Sequence, residues 1–385
     1  MGGRFQSLHS TFEAFETFLF VPKSTSKSGV HIHDANDMKR TMVIMVLALL
    51  PAFAFGIWNT GYYHFLSLGV QASFGQIITH GLLKVLPIVV VAYVVGLSIE
   101  FAVAQWRGHE VNEGFLVTGL LIPLILPANI PLWMVAVATA FAVIIGKEIF
   151  GGTGMNIWNP ALLARAFLFF AYPSKMSGDY VWVSGLLKGE GVVDGFSGAT
   201  PLGLAASGNI TKFSFADSFW GVIPGSIGET STFAILIGAF LLIYTGVASW
   251  KIMASTFAGG FLMAWVFNLM GHTPLMQLSA IHHLCLGGFA FGAVFMATDP
   301  VSGARTERGK WIYGFLIGVF AILIRVINPA YPEGMMLSIL LMNTFAPLID
   351  YFVIQGNINM RQKRLRTAVH HQSININTTN NGQTK

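Results

Sequence analysis

Three kinds of residue in this chain could do chemistry. The first is a hydroxyl. Thr200 closes the run Asp194-Gly195-Phe196-Ser197-Gly198-Ala199-Thr200, in which Ser197, Gly198 and Ala199 are small enough to let a bulky group reach the backbone. A threonine oxygen there can carry a phosphoester. Further on, Pro224-Gly225-Ser226-Ile227-Gly228-Glu229 leads into an apolar run, and free N–H groups at such a helix start favour a phosphate. By itself, though, a Ser-Gly-Ala-Thr tetrapeptide reads as an ordinary solvated turn. The second kind is the carboxylate within or at the edge of an apolar run: Glu100, Asp299 and Asp350. A charge there costs about 2.5–3.5 kcal/mol on insertion scales, so such acids are usually functional. Their oxygens suit a hard cation such as sodium. The competing readings are a helix-end cap for Asp299, beside Pro300, and a salt bridge to a neighbouring subunit for Glu100. The third kind is a cation inside an apolar run, Arg165, placed to neutralise a bound group or to pair with an acid.

Other chemistries are disfavoured. His282 and His283 are adjacent; on a helix they point about 100° apart and do not readily grip one metal. The single cysteine, Cys285, cannot make an intrachain disulfide, a structural zinc site or an iron–sulfur cluster. Any redox centre must do without thiolate ligands, and no metal other than sodium is expected.

The elements that position these residues are membrane-spanning. Hydrophobic residues make up 54% of the 385, and charged residues only 10%, against about 25% in soluble domains. Lipid is the solvent that suits this composition. Ten apolar runs stand out, at about 41–57, 83–105, 114–127, 131–149, 158–172, 229–248, 252–269, 281–298, 311–327 and 334–355. The third and fifth are short of the roughly twenty residues a full span needs. Both are bounded by Pro or Gly, as at Pro127 and Pro160, a pattern that buries irregular backbone along a ligand or ion path. The polar start of the chain has no signal-peptide pattern; its Phe12, Phe15, Phe18, Leu19 and Phe20 suit either an interfacial helix or a loose arm.

Charge placement orients the runs. With the N-terminus in the cytoplasm, 16 of the 22 basic residues fall on cytoplasmic pieces, as the positive-inside rule requires. The net charge of +5 therefore points to a membrane face, not to nucleic acid. An internal repeat reinforces the scheme: Trp133 precedes Lys147 by the same distance as Trp311 precedes Arg325, each pair brackets an apolar run, and a Pro-led segment follows each. The copies lie five runs apart, and an odd offset inverts them across the membrane. The expected fold is an all-α polytopic membrane protein of about ten helices in two inverted five-helix repeats, two of them short or broken. Its parts are a cytoplasmic arm (1–40), a first repeat (41–172), an external loop (173–228), a second repeat (229–355) and a basic cytoplasmic tail (356–385).

At this point the motifs become recognisable together. The run ending at Thr200 resembles the flavinylation motif of the B-subunit family of sodium-translocating NADH:quinone reductases and the related D subunits of Rnf electron-transport complexes. The similarity extends through His109-Glu110-Val111-Asn112-Glu113-Gly114-Phe115, Lys147-Glu148-Ile149-Phe150-Gly151-Gly152-Thr153-Gly154, Asn159-Pro160-Ala161 and Arg165-Ala166-Phe167. It continues in Pro224–Glu229, Gly287-Gly288-Phe289-Ala290-Phe291-Gly292, Met296-Ala297-Thr298-Asp299-Pro300-Val301-Ser302 and Arg325-Val326-Ile327-Asn328-Pro329-Ala330-Tyr331-Pro332-Glu333-Gly334. About residues 36 to 355 are covered, and the longer stretches look more like the sodium-pump family than the Rnf one.

The resemblance implies a bacterial inner-membrane subunit of a six-subunit complex that passes electrons from NADH to ubiquinone and exports sodium. It implies FMN esterified through its phosphate to Thr200, with Gly225 and Ser226 among the motif's neighbours. It implies a non-covalent riboflavin contacted by Asn156 and Asn159, for which the competing reading is helix capping. Sodium uptake would involve Glu100 and Asp350, with Asp299 a further candidate. Gly96 and Leu97, one turn before Glu100, would align with the quinone region, unless they only pack a helix. Arg165 would neutralise a flavin or pair with an acid. The sequence has neither a P-loop nor a nicotinamide fingerprint, so NADH would be oxidised on another subunit. A passive channel or transporter and a redox-silent scaffold remain as alternatives.

Overall fold

Apolar stretches fold as helices in a bilayer because every backbone N–H and C=O must find a partner within the protein. The computed structural model of this chain is all-helical among the described residues, which are 28–29, 38–107, 114–186, 192–193, 196–209, 213–328 and 334–381. The aromatic N-terminal segment, His109–Glu113, Asp194–Gly195 and Pro329–Glu333 lie outside them. Each of the ten apolar runs contains helix.

In order, the helices are α1 (Met38–Ser67), α2 (Phe74–Arg107), α3 (Gly114–Leu124), α4 (Leu132–Val143), α5 (Pro160–Ala171), α6 (Pro201–Ala206) and α7 (Phe215–Trp220). Then follow α8 (Thr232–Tyr244), α9 (Trp250–Met270), α10 (Ala280–Cys285), α11 (Phe289–Phe291), α12 (Glu307–Ile327) and α13 (Met335–Asn381). α4 and α11 each run on into a single π-helical turn, Ile144–Glu148 and Gly292–Met296. Among the described residues, five helices are long and apolar enough to cross a membrane: Lys39–Ser67 of α1, α2, α9, α12 and Met335–Thr367 of α13. Three more, α3, α5 and α8, are apolar but shorter.

α3 ends inside the protein, and its end is satisfied there. A helix leaves its last carbonyls without intrahelical partners. After α3, the Leu124 and Leu126 carbonyls accept the N–H groups of Gly228 (2.7 Å) and Ile227 (3.1 Å) from the Pro224–Glu229 segment. The eighth apolar run is broken at Leu286–Gly288, and its orphan carbonyls meet the fully buried Arg325 of α12. The Arg325 guanidinium donates to the carbonyls of His283 (2.6 Å) and Leu286 (2.9 Å).

Most helices pack on neighbours in the chain. α2 lies against α3 and α4, and α4 against α5; later, α9 lies against α10 and α12, and α12 against α13. Across the halves, α1 packs on α8 and α5 on α13. The α9–α12 seam is close because small residues line it: Gly259, Gly314 and Gly318 each face the backbone of the partner helix, the packing that apolar solvent favours.

Three expectations need correction. α1 runs ten residues past position 57 and α2 starts nine before position 83. Polar residues there are absorbed by tertiary bonds, as where Asn59 Nδ2 donates to the Ile223 carbonyl (2.9 Å). The last span does not stop at 355, because α13 continues helically through the basic residues to Asn381. The 173–228 segment is no plain loop either: it holds α6, α7 and the one-turn helix Pro173–Met176.

Candidate functional site

Thr200 is the N-cap of α6. Its extended backbone (φ −68°, ψ 154°) and the Pro201 that follows set the helix start, and its Oγ1 accepts from Gly203 N–H at 3.2 Å. In that bond the oxygen is the acceptor, so its own proton remains free to leave. The turn before it is built tightly. Ser197 Oγ accepts from Ala199 N–H (3.2 Å), and a Cβ on Gly198 would sit 2.5 Å from the Asp179 carbonyl.

Thr200 opens onto a small pocket shared with Ser226, Glu229, Thr230, Gly287 and Gly288, and with Gly225 on the Pro224–Glu229 segment. The two glycines of the break between α10 and α11 have left-handed backbones, φ +59° and +65°, which favour glycine. At Gly288 a Cβ would come 2.7 Å from Glu229 Oε1. Arg165, from α5, reaches this segment: its guanidinium lies 2.5 Å from Glu229 Oε1 and 3.3 Å from Ser226 Oγ. Of its two expected roles, pairing with an acid is the one the structure displays. Thr230 is 2% exposed, yet its Oγ1 has no hydrogen-bond partner. An unsatisfied buried hydroxyl costs about 1–3 kcal/mol, which a phosphate oxygen in this pocket would offset. The donor set and the open glycine wall fit a phosphate group.

A second, larger recess of about 110 Å³ lies between α1, α3 and the ends of α4 and α11. Its lining includes Thr118, Lys147, Asn156, Asn159, Thr298 and Asp299. Asn159 caps α5, its Oδ1 accepting from Ala161 (3.0 Å) and Leu162 (3.5 Å). The group it can offer the cavity is therefore its amide nitrogen. Asn156 Nδ2 donates to the Trp158 carbonyl (3.0 Å), leaving its oxygen as the acceptor. One donor and one acceptor on a mostly apolar wall suit a flat heterocycle with both kinds of edge. Behind Asn159, the Asn343 amide satisfies its neighbours when its oxygen faces Asn159 N–H (3.2 Å) and its nitrogen faces the Tyr313 hydroxyl (2.6 Å).

The acids fare differently. Glu100 is buried on α2 and forms an ion pair with Lys147 of this chain, which is equally buried. Asp299 lines the larger cavity; its carboxylate accepts from Val301 N–H (3.2 Å) and Ser302 Oγ (2.6 Å), as a helix-end cap does. Asp350, on α13, accepts from the N–H groups of Arg305 (2.7 Å) and Thr306 (3.0 Å) and from Thr306 Oγ1 (2.5 Å). It thus caps α12 from outside and does not line the cavity. Gly96 faces the Phe115 ring, which occupies the space a Cβ would take, while Leu97 is half-buried. His282 and His283 part company as expected, to Ser218 Oγ (2.9 Å) and the Leu275 carbonyl (2.9 Å).

Sequence reasoning did not assign Lys147, Glu148, Thr230 or Arg325 to a site. Lys147 and Arg325 were visible as cations bounding apolar runs; Thr230 carried no signal.

Fold and site together define a polytopic membrane protein, all-helical among the described residues, whose short and broken helices border two recesses. Residues 25–359 match the model of the NQR2, RnfD, RnfE family, and the chain belongs to that family. Among similar proteins, the B subunit of the Na(+)-translocating NADH-quinone reductase of Azotobacter vinelandii is 47% identical over 393 residues, covering 94% of this chain and 96% of the relative. Those of Ectopseudomonas mendocina and Pseudomonas paraeruginosa are 47% and 46% identical with the same coverage.

Proposed function

We infer that this chain is the B subunit of a sodium-translocating NADH:quinone reductase and that it carries FMN on Thr200 through a phosphoester. The observation that carries the reading is the Thr200 pocket, where a helix-capping hydroxyl, an unpartnered Thr230 hydroxyl and two left-handed glycines converge. A flavin supplies one- and two-electron chemistry without thiolate ligands, which suits a chain with one cysteine. The residues of this chain hold and orient it. Thr200 anchors the phosphate, Ser226 and Thr230 donate to its oxygens, and Arg165 braces the segment through Glu229 and Ser226.

The larger cavity holds riboflavin, with Asn156 and Asn159 facing its polar edges. Gly96 and Leu97 border the quinone region, where Gly96 lets the Phe115 ring pack against α2. Glu100 and Asp299 serve sodium beside this cavity. Asp350 belongs to the ion path only through the end of α12, which it caps. The contacts of α1 with α8 and of α5 with α13, each between runs five apart, support two inverted five-helix repeats. The basic residues support cytoplasmic termini and a periplasmic Thr200 in a bacterial inner membrane. The remaining subunits of the complex and ubiquinone are the partners.

Flavin fluorescence that survives denaturation on a gel tests the anchor. Protein made in a host with the family's flavin transferase should fluoresce, and Thr200→Val should abolish the band while membrane insertion persists. A wild-type band without fluorescence, beside fluorescent control flavoproteins, defeats the reading. An Rnf-type complex is the alternative, and the neighbouring genes distinguish the two.

A further inference from the structure

Lys147 is 3% exposed, its ammonium is bonded to Glu100, and the residue lines the larger cavity. Two elements create that double position. α2 presents Glu100 one turn beyond Gly96, against the Phe115 ring. The π turn Ile144–Glu148 then closes α4 and sets Lys147 between α2 and the cavity; such turns are frequent at functional sites. The ammonium also lies 5.9 Å from the centroid of the Phe115 ring, within cation–π range. The next residue, Glu148, is 6% exposed, and its Oε2 has no hydrogen-bond partner, Arg107 Nη1 being 3.9 Å away.

We propose that Lys147 is a tethered cation: it occupies the place of a monovalent metal cation on Glu100 and yields it by turning its ammonium into the cavity. The proposal rests on the reading of Glu100 as a sodium ligand. A buried carboxylate stripped of its partner is strongly disfavoured, so an ionised Glu100 holds one cation at any time. Ammonium and sodium carry the same charge, and exchanging them keeps Glu100 neutralised throughout. The lysine stem is flexible enough to turn. Asp299 and Asn156 line the cavity that receives the ammonium, and beside Lys147 the buried Glu148 carboxylate, 3.9 Å from Arg107 Nη1, has an oxygen without a hydrogen bond.

The arrangement links charge to cation uptake. Negative charge gained by an occupant of the cavity draws Lys147 away from Glu100 by Coulomb attraction, and Glu100 then takes sodium. Linkage makes the effect reciprocal: sodium on Glu100 stabilises negative charge in the cavity.

The test uses the whole purified complex. Two quantities are read: the sodium concentration giving half-maximal quinone reduction, and the sodium-induced shift in flavin midpoint potential. Lys147→Met leaves Glu100 without its resident competitor. The half-saturating sodium concentration should fall several-fold, and the sodium-linked potential shift should disappear. Lys147→Arg, whose guanidinium holds a carboxylate more firmly, should raise the half-saturating concentration, and it carries the test if the Met variant does not assemble. Unchanged values in both variants, or a rise in Lys147→Met, overturn the proposal. Glu100→Gln separates the two ideas. If it too leaves the titration unchanged, the sodium reading of Glu100 fails; if it alone changes the titration, only the tethered cation fails.

Discussion

The Arg165 guanidinium lies 2.5 Å from the Glu229 carboxylate, tying α5 to the segment that walls the Thr200 pocket. Both side chains are less than a tenth exposed. Removing one partner of such a pair leaves a buried charge alone, at about 3–5 kcal/mol. Arg165→Met should therefore lower the detergent-solubilised melting temperature sharply. Arg165→Met combined with Glu229→Gln should recover part of the loss, because no uncompensated charge remains. A thermal melt of the three proteins checks this.

Gly288 admits Glu229 to the pocket wall. In Gly288→Ala a methyl would stand 2.7 Å from Glu229 Oε1 on a backbone with φ +65°. The expected outcome is a pocket closed to a phosphate, with flavin fluorescence on a denaturing gel much reduced although Thr200 is intact. Gly208→Ala, at a left-handed glycine with open space around it, should leave the fluorescence near normal and serves as the control for backbone strain.

Asp350 is bound to the start of α12 by three hydrogen bonds. Loss of a cap typically costs about 1 kcal/mol. Asp350→Ala should lower stability by about that amount or more, since the bonded carboxylate is charged. Asp350→Asn, which keeps acceptor oxygen but not charge, should cost less. If sodium titrations of quinone reduction follow the same order as the melting temperatures, Asp350 acts on sodium through the position of α12.

Asn159 combines a cap with a cavity-facing amide. Asn159→Asp preserves the capping oxygen and removes the donor, whereas Asn159→Ala removes both. Riboflavin released from the denatured complex, measured by chromatography, should fall in both variants. Stability should fall mainly in Asn159→Ala, by about 1 kcal/mol. Equal riboflavin content in wild type and Asn159→Asp would remove Asn159 from that site.

The helices were legible because hydrophobic runs in lipid have few alternatives. The shortness of α3 and α5 was legible too, from Pro127 and Pro160. The polar ends of α1 and α2 were not, since the Asn59 amide N–H is buried at low cost only because the distant Ile223 carbonyl accepts it. The helical continuation of α13 also escaped notice, because hydropathy stops at the membrane while helix geometry does not. In the sites, Thr200 and the asparagines showed through motif similarity. The Glu100–Lys147 pair did not, for its members are 47 positions apart and meet only when α2 packs against α4. Thr230 is known by the absence of a partner, a property that no single residue in a sequence displays.

The bonds from Ile227 and Gly228 to the carbonyls at the end of α3 have a mechanical meaning. The segment that walls the Thr200 pocket also terminates a helix, so it cannot lift away without stranding acceptors in an apolar interior. A group carried by Thr200 would be seated against a wall that does not swing.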